Sequence, residues 1–377
     1  MALSFWECDT YFSKVDVVII GSGIVGLNAA LNLKRSKPKL SILVLERGFL
    51  PSGASTKNAG FACYGSVSEL NDDLSKYGET DVLALVERRW KGLKRLRKNL
   101  GDGAIDYKPY GGFEVFEDEK SFTACAEKLN YYNTSLSKIT KIKQVYKIAD
   151  KKISSFGLKG ITHIIHNTGE GQIDTGKMMN ALINKVQKLG VKILNGISIT
   201  SFESTEKNVI IRTDQEFSFT AKRLLIATNG FAKQLMPEQP VIPARAQVLI
   251  TAPIKNLKLK GAFHFDKGFY YFRNIGTRVL LGGGRNLDLE KEETDTFGLT
   301  EKIQNRLDEM LRTMILPYTT YTVEQRWSGI MGVGPQKTTV LKEVQKNVFC
   351  AVRMGGMGVA IGSLVGEDAA EMVRKSI

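Results

Sequence analysis

The stretch from Val15 to Gly60 constrains the fold of this chain more than any other. A short apolar run, Val15 to Ile20, breaks into Gly21-Ser22-Gly23-Ile24-Val25-Gly26 and continues as an apolar-periodic segment carrying Leu27, Ala30, Leu31 and Leu33. A second apolar run, Ile42 to Leu45, ends in Glu46. Strand, glycine turn, helix, strand and terminal acid, in that order, make a dinucleotide-binding unit. Gly21 permits the tight turn, Gly23 lets the backbone approach a pyrophosphate seated on the helix N-terminus, and Gly26 lets the helix pack on the strand. Glu46 follows Gly26 by about twenty residues, the spacing of an acid that accepts hydrogen bonds from ribose hydroxyls.

Arg47-Gly48 leads into Pro51-Ser52-Gly53-Ala54-Ser55-Thr56-Lys57-Asn58-Ala59-Gly60, small residues that can follow an extended dinucleotide and offer it backbone N–H groups. Here the chain resembles the D-amino-acid oxidase, glycine oxidase and sarcosine oxidase superfamily of FAD-dependent oxidoreductases. The resemblance implies FAD, with Glu46 and Arg47 at the ribose turn, Ala54, Ser55, Lys57 and Asn58 near the pyrophosphate, and Ala59, Gly60 and Phe61 beside the isoalloxazine. Ser328 stands about where the family's covalent flavin cysteine falls, which implies non-covalent FAD.

Later segments carry the same likeness. Gly171-Gln172-Ile173-Asp174-Thr175 opens a helix with Asp174 or Thr175 as cap, and the strand after it places Ile199 at the family's adenine site. Leu224 to Gly230 reads as a buried strand ending in a small-residue turn; in the family Ala227, Thr228 and Gly230 pass close to FAD. Arg326-Trp327-Ser328-Gly329 matches an RW-x-G turn. Gly355, Gly356, Met357, Gly358, Val359 and Ala360 open the last helix, whose N-terminal N–H groups lie in the family against the flavin edge that gains negative charge on reduction.

The implied fold is α/β, a Rossmann-like FAD-binding domain with a second α+β substrate domain built on an antiparallel sheet. The FAD-binding domain is expected to take 1–80, 166–240 and 326–377, and the substrate domain 81–165 and 241–325. A chain of 377 residues with 43% apolar content suits two cores. The glycines interrupt its most apolar stretch, so no membrane span is expected. Met1 to Lys14 lacks a signal-peptide pattern, which points to the cytoplasm. The four cysteines form no CxxC pair and are expected to be reduced and mostly buried.

A formal charge of +14 favours anionic ligands. Arg88, Arg89, Lys91, Lys94, Arg95, Arg97 and Lys98 concentrate on one helix with Val86, Trp90, Leu93 and Leu100 as its apolar stripe, so the basic groups are expected on solvated faces; a nucleic-acid contact through 88–98 is the less favoured alternative. His163 and His166 sit three apart in a β-branched, strand-like segment and point to opposite faces, and His264 has no sequence partner, so no metal site is expected.

The chemistry implied is oxidation of a C–N bond in a small amine or amino acid, hydride passing to the flavin and the imine hydrolysing. Tyr271 and Arg273 alternate onto one face of a roofing strand, and either is a candidate to line the substrate pocket; Arg353 is a further catalytic candidate. The family's carboxylate-binding arginine is replaced by the Gly329-Ile330-Met331-Gly332 stretch and its C-terminal lysine by Ala360, leaving Arg353, Arg273, Arg285 or Arg245 to bind a carboxylate. Leu280 stands where the sarcosine oxidases carry a lysine that helps oxygen react, so a dehydrogenase with another acceptor stays open. A flavin enzyme acting on a tRNA base and a non-catalytic flavoprotein are the alternatives.

Overall fold

The computed structural model describes residues 3–377. Two eight-stranded sheets carry the chain, packed around three apolar cores. In the first, Val15–Ile20 lies between Ile42–Glu46 and Ser218–Ile226, with Lys192–Asn195 beyond one neighbour and Val348–Val352 beyond the other, all parallel. Val340–Gln345 closes one edge antiparallel, and Val209–Thr213 with Ile199–Ser204 forms an antiparallel flap on Ser218–Ile226. The central strands are buried on both faces, as continuous Val/Ile/Leu runs require. Helices Ile24–Ser36, Thr175–Lys188, Glu79–Leu100 and Gly358–Ser376 share a core on one face; Phe12, Leu224, Ile226 and Val348 belong to the core on the other.

The second sheet runs Val323–Val333, Ile242–Thr251, Arg278–Gly283, Tyr270–Ile275, Ala262–Phe265, Gly112–Phe116, His163–Asn167, Tyr146–Ile148. It is antiparallel except where Ala262–Phe265 meets Gly112–Phe116. Phe263 and Phe272 on this sheet pack with Leu307 of the Glu301–Met310 helix, giving the sheet a buried side.

Several expectations shift at this level. Residues 119–140 form two helices, Glu119–Ala126 and Leu129–Thr140. The cut placed at 81 falls inside the Glu79–Leu100 helix, which packs with the first sheet's helices, and the cut at 326 falls inside Val323–Val333, a strand of the second sheet. Asp174, rather than Thr175, caps its helix, accepting from Lys177 N–H at 2.8 Å. The basic helix is not a free cationic face: Arg88, Arg95, Lys91 and Arg97 pair with Asp368, Glu367, Glu87 and Asp102. Arg89, expected to be solvated, is 2% exposed and bound to Glu69. No described helix is long and apolar enough to cross a membrane.

Candidate active site

A cavity of about 620 Å³ lies between the glycine turn of the first sheet and the open face of the second, within the ~300–1,000 Å³ of a typical small-molecule site. One wall is the fingerprint. Gly21 has φ +102°, and a Cβ there would come within 2.9 Å of the Ala227 carbonyl oxygen. A Cβ on Gly26 would meet the Gly21 oxygen at 2.1 Å, so only glycine allows the helix this close to the turn. Gly23, Ile24 and Val25 line the cavity at the N-terminus of Ile24–Ser36, where backbone N–H groups are unpaired within the helix.

Glu46 is buried at the end of its strand. One carboxylate oxygen accepts from Ser22 N–H (3.2 Å) and the Ser22 hydroxyl (2.9 Å), and the other from Gly48 N–H (3.1 Å) and the Ser52 hydroxyl (3.0 Å). The acid therefore ties the phosphate turn to the following loop while lining the cavity; Ser22, expected at the cofactor, lies behind it as a brace. Arg47 stacks 3.7 Å over Phe231. Ser55 Oγ accepts from Ile24 N–H at 2.9 Å, holding the 54–60 loop against the first helix. Asn58 Oδ1 accepts from Gly60 N–H and the Thr175 hydroxyl, both at 2.9 Å, and Lys57 carbonyl accepts from Trp327 Nε1 at 3.0 Å. Ala54, Lys57, Ala59, Gly60 and Phe61 line the cavity along this course, as do Ile199, Ala227 and Thr228. Gly230 does not: it packs on the Met331 backbone, where a Cβ would sit 2.6 Å from the carbonyl oxygen.

The C-terminal helix closes the same cavity. Gly355 and Gly356, at φ +58° and +80°, make the turn that aims the N-terminus of Gly358–Ser376 inward, and Met357, Gly358, Val359 and Ala360 line it. Asn229 Oδ1 pins the preceding chain by accepting from Arg353 and Met354 N–H, both at 3.1 Å.

The arginines separate by what their guanidinium groups already hold. Arg273, a candidate pocket residue, is 4% exposed and does not line the cavity. Its Nη1 donates to the Ala59, Gly60 and Ile173 carbonyls at 3.0, 2.7 and 2.8 Å, so it clamps the loop against the roof. Arg353 is likewise turned away, donating to the Thr338 and Pro240 carbonyls at 2.8 and 3.0 Å. Arg245 forms a two-pronged pair with Glu292. Arg285 lines the cavity, and among the described residues its guanidinium has neither a hydrogen bond nor an ion pair; burial lowers its pKa. Tyr271 also lines the cavity, its phenol pushed up to about 12 by burial.

Beyond these lies a group that sequence patterning does not show. Phe61 has the rings of His264 and Tyr271 at 5.4 and 5.6 Å, both edge-on. His264 gains the partner its sequence neighbourhood lacks: Nε2 lies 3.4 Å from Glu170. Burial opposes its charge, but Glu170, followed by Glu114 and Glu69, outweighs that and raises its pKa. Cys63 Sγ, Glu170 and His264 lie within 4.8 Å of one another, and burial pushes the Cys63 thiol well up. His163 and His166 stay apart, stacked on Phe122 and Phe113 respectively. At the cavity rim Glu69 meets Arg89 at 3.2 Å and Lys337 at 3.0 Å; burial opposes its charge, but these cations hold its carboxyl down to about 2.

The DAO family, described as FAD dependent oxidoreductase, matches residues 16–372. The chain belongs to this family. A DAO-family protein uses FAD, and the glycine turn, the buried acid and the two inward helix N-termini fit that cofactor's phosphates, ribose and flavin edge. The chain is 26% identical over 241 residues to the bifunctional protein ThiO/ThiG of Synechocystis, a match covering 62% of this chain and 32% of that protein, so it spans about a third of that relative. In fold it is similar to glycine oxidase from Bacillus cereus (TM-score 0.77, 16% identity, 96% of this chain and 98% of that one). It is also similar to L-proline dehydrogenase from P. horikoshii (TM-score 0.74, 19% identity, 96% and 94%).

Proposed function

We propose that this DAO-family enzyme oxidises the C–N bond of a small amine bearing a carboxylate, with Arg285 as the anchor for that carboxylate. FAD supplies the hydride acceptor; the protein's own groups bind, orient and desolvate the substrate. The observation that carries the reading is an unpaired, partly desolvated guanidinium in the same cavity as the FAD fingerprint, while the three other candidate arginines are committed to protein partners. A planar guanidinium in a low-dielectric wall takes a carboxylate two-pronged and fixes its orientation. Tyr271, beside Phe61 on the roof, offers a phenol to the bound molecule, and the packed aromatics exclude water from it.

The cofactor-facing set of this reading is Gly21, Gly23, Ile24, Val25, Glu46, Arg47, Ala54, Ser55, Lys57, Asn58, Ala59, Gly60, Phe61, Ile199, Ala227, Thr228 and 355–360, with Ser22, Gly26 and Gly230 as supports. The two separate sheets support two domains, with 326–333 on the substrate side and Glu79–Leu100 on the FAD-binding side. A small molecule rather than tRNA is the substrate of this proposal, because the 88–98 helix spends most of its cations on internal acids. Free cysteines, three of them buried, support a reducing, cytoplasmic setting.

The test is anaerobic reduction of the bound flavin, followed by its visible absorbance, against amino acids, N-methyl amino acids and amines lacking a carboxylate. Bleaching by carboxylate-bearing amines alone supports the proposal; bleaching only by amines without a carboxylate, or by none, refutes it.

A further inference from the structure

His264 and Glu170 form a pair that cofactor binding does not explain. Glu170 is 1% exposed and fixed, one oxygen accepting from the N–H groups of Tyr64 (2.9 Å) and Gly65 (3.2 Å). Its other oxygen lies 3.4 Å from His264 Nε2, within ion-pair reach though not aligned as a hydrogen bond. Nε2 is shut away from solvent on that side, while the imidazole lines the cavity beside Phe61, which leaves Nδ1 as the ring nitrogen for a ligand. A buried carboxylate on one nitrogen fixes the imidazole's orientation and stabilises its cation, freeing the other nitrogen for proton transfer. The charged and titratable groups facing the ring are Glu170 and Cys63, Glu114 and Tyr271 on the flanking strands, and Glu69 with its cations Arg89 and Lys337.

We propose that His264, oriented by Glu170, accepts the proton that a substrate ammonium must shed before its C–H bond can deliver hydride. The inference rests on the C–N reading above. In the step, an N–H bond of the R₂CH–NH₃⁺ group breaks and an N–H bond forms on His264 Nδ1, giving R₂CH–NH₂ and an imidazolium paired with Glu170. No electrons change hands. The freed nitrogen lone pair then supports loss of hydride from the adjacent carbon, leaving an iminium whose electron pair has gone to FAD. The base works only when neutral. With its pKa raised by the surrounding carboxylates, activity should climb as pH passes a point above the ordinary histidine value of about 6.5.

The experiment pairs pH profiles of kcat/KM for wild type, His264→Gln and Glu170→Gln with NMR titration of the histidines. Only His163, His166 and His264 contribute signals, and loss of one peak in His264→Gln assigns it. We expect a wild-type acid limb above pH ~6.5, a kcat/KM about 10²-fold lower in His264→Gln with that limb gone, and a limb and an NMR pKa both displaced to lower pH in Glu170→Gln. Glutamine keeps an oxygen for Tyr64 and Gly65, so a merely structural role for Glu170 would move neither. Flavin reduction with an unchanged limb in His264→Gln overturns this inference alone, as does an NMR pKa that Glu170→Gln leaves in place. Failure of every amine to reduce wild type overturns the C–N reading and this one with it.

Discussion

Replacing Arg285 with methionine separates substrate anchoring from everything else the cavity does. Methionine keeps most of the side chain's bulk and removes only the charge and the donors. A two-pronged pair makes two hydrogen bonds to a charged group at about 1.5–3 kcal/mol each. Allowing for non-additivity, the loss should be about 3–4 kcal/mol of carboxylate binding, which at ~1.4 kcal/mol per tenfold lowers kcat/KM by roughly two to three orders of magnitude. The folded protein should not suffer, because Arg285 holds no described partner and its charge is partly desolvated. The assay is steady-state kinetics alongside the thermal midpoint and the flavin spectrum, run with a carboxylate-bearing amine and its decarboxylated analogue. The expected pattern is a large loss for the acid, little change for the analogue, and unchanged midpoint and spectrum. A kcat/KM for the acid within about threefold of wild type, a change of ~0.6 kcal/mol, would refute the assignment.

Arg273→Met should behave in the opposite way: it removes the donor shared by the Ala59, Gly60 and Ile173 carbonyls, of which Gly60 keeps the Ile173 N–H, so the thermal midpoint falls by the equivalent of about 3 kcal/mol and FAD is released more readily on dilution. Gly26→Ala places a Cβ 2.1 Å from the Gly21 oxygen and should weaken FAD binding ~10- to 100-fold by fluorescence titration, with far-UV circular dichroism retained. Glu69, held near 2 against an ordinary 4.5, contributes on the order of 3 kcal/mol above pH 4.5, lost as pH falls through 2. Glu69→Gln should therefore flatten the acid side of the stability–pH curve measured by denaturant melts.

The glycine-turn end of the cavity was legible because it is local. A tight turn at Gly21, an approach too close for a Cβ at Gly26 and an acid at a fixed spacing all lie within one strand–helix–strand stretch, and the physical demands on each are met by its own neighbours. The substrate end was not, because there the choice among like residues is made by tertiary contacts. Arg273 alternates onto the same side of its strand as Tyr271, yet the Ala59, Gly60 and Ile173 carbonyls capture its guanidinium, whereas Arg285 makes no hydrogen bond or ion pair among the described residues, with Glu292 and Glu293 acting on it only through their charge. Arg89 looked solvated on helical periodicity, but Glu69 and the Tyr64 carbonyl reach it from another element. The Glu170–His264 pair joins a turn to a strand far along the chain and left no spacing to read. The RW-x-G turn at 326, expected on the FAD-binding side, lies on a strand that completes the edge of the second sheet through pairing with Ile242–Thr251.

The most direct test of the account is a single anaerobic turnover with the FAD-loaded protein and the amine that bleaches it, counting product per flavin. One carbonyl compound and one released amine or ammonia are expected for each flavin reduced, with deuterium on the amine-bearing carbon slowing the bleaching. Bleaching without a carbonyl product, or at a rate indifferent to that deuterium, would contradict it.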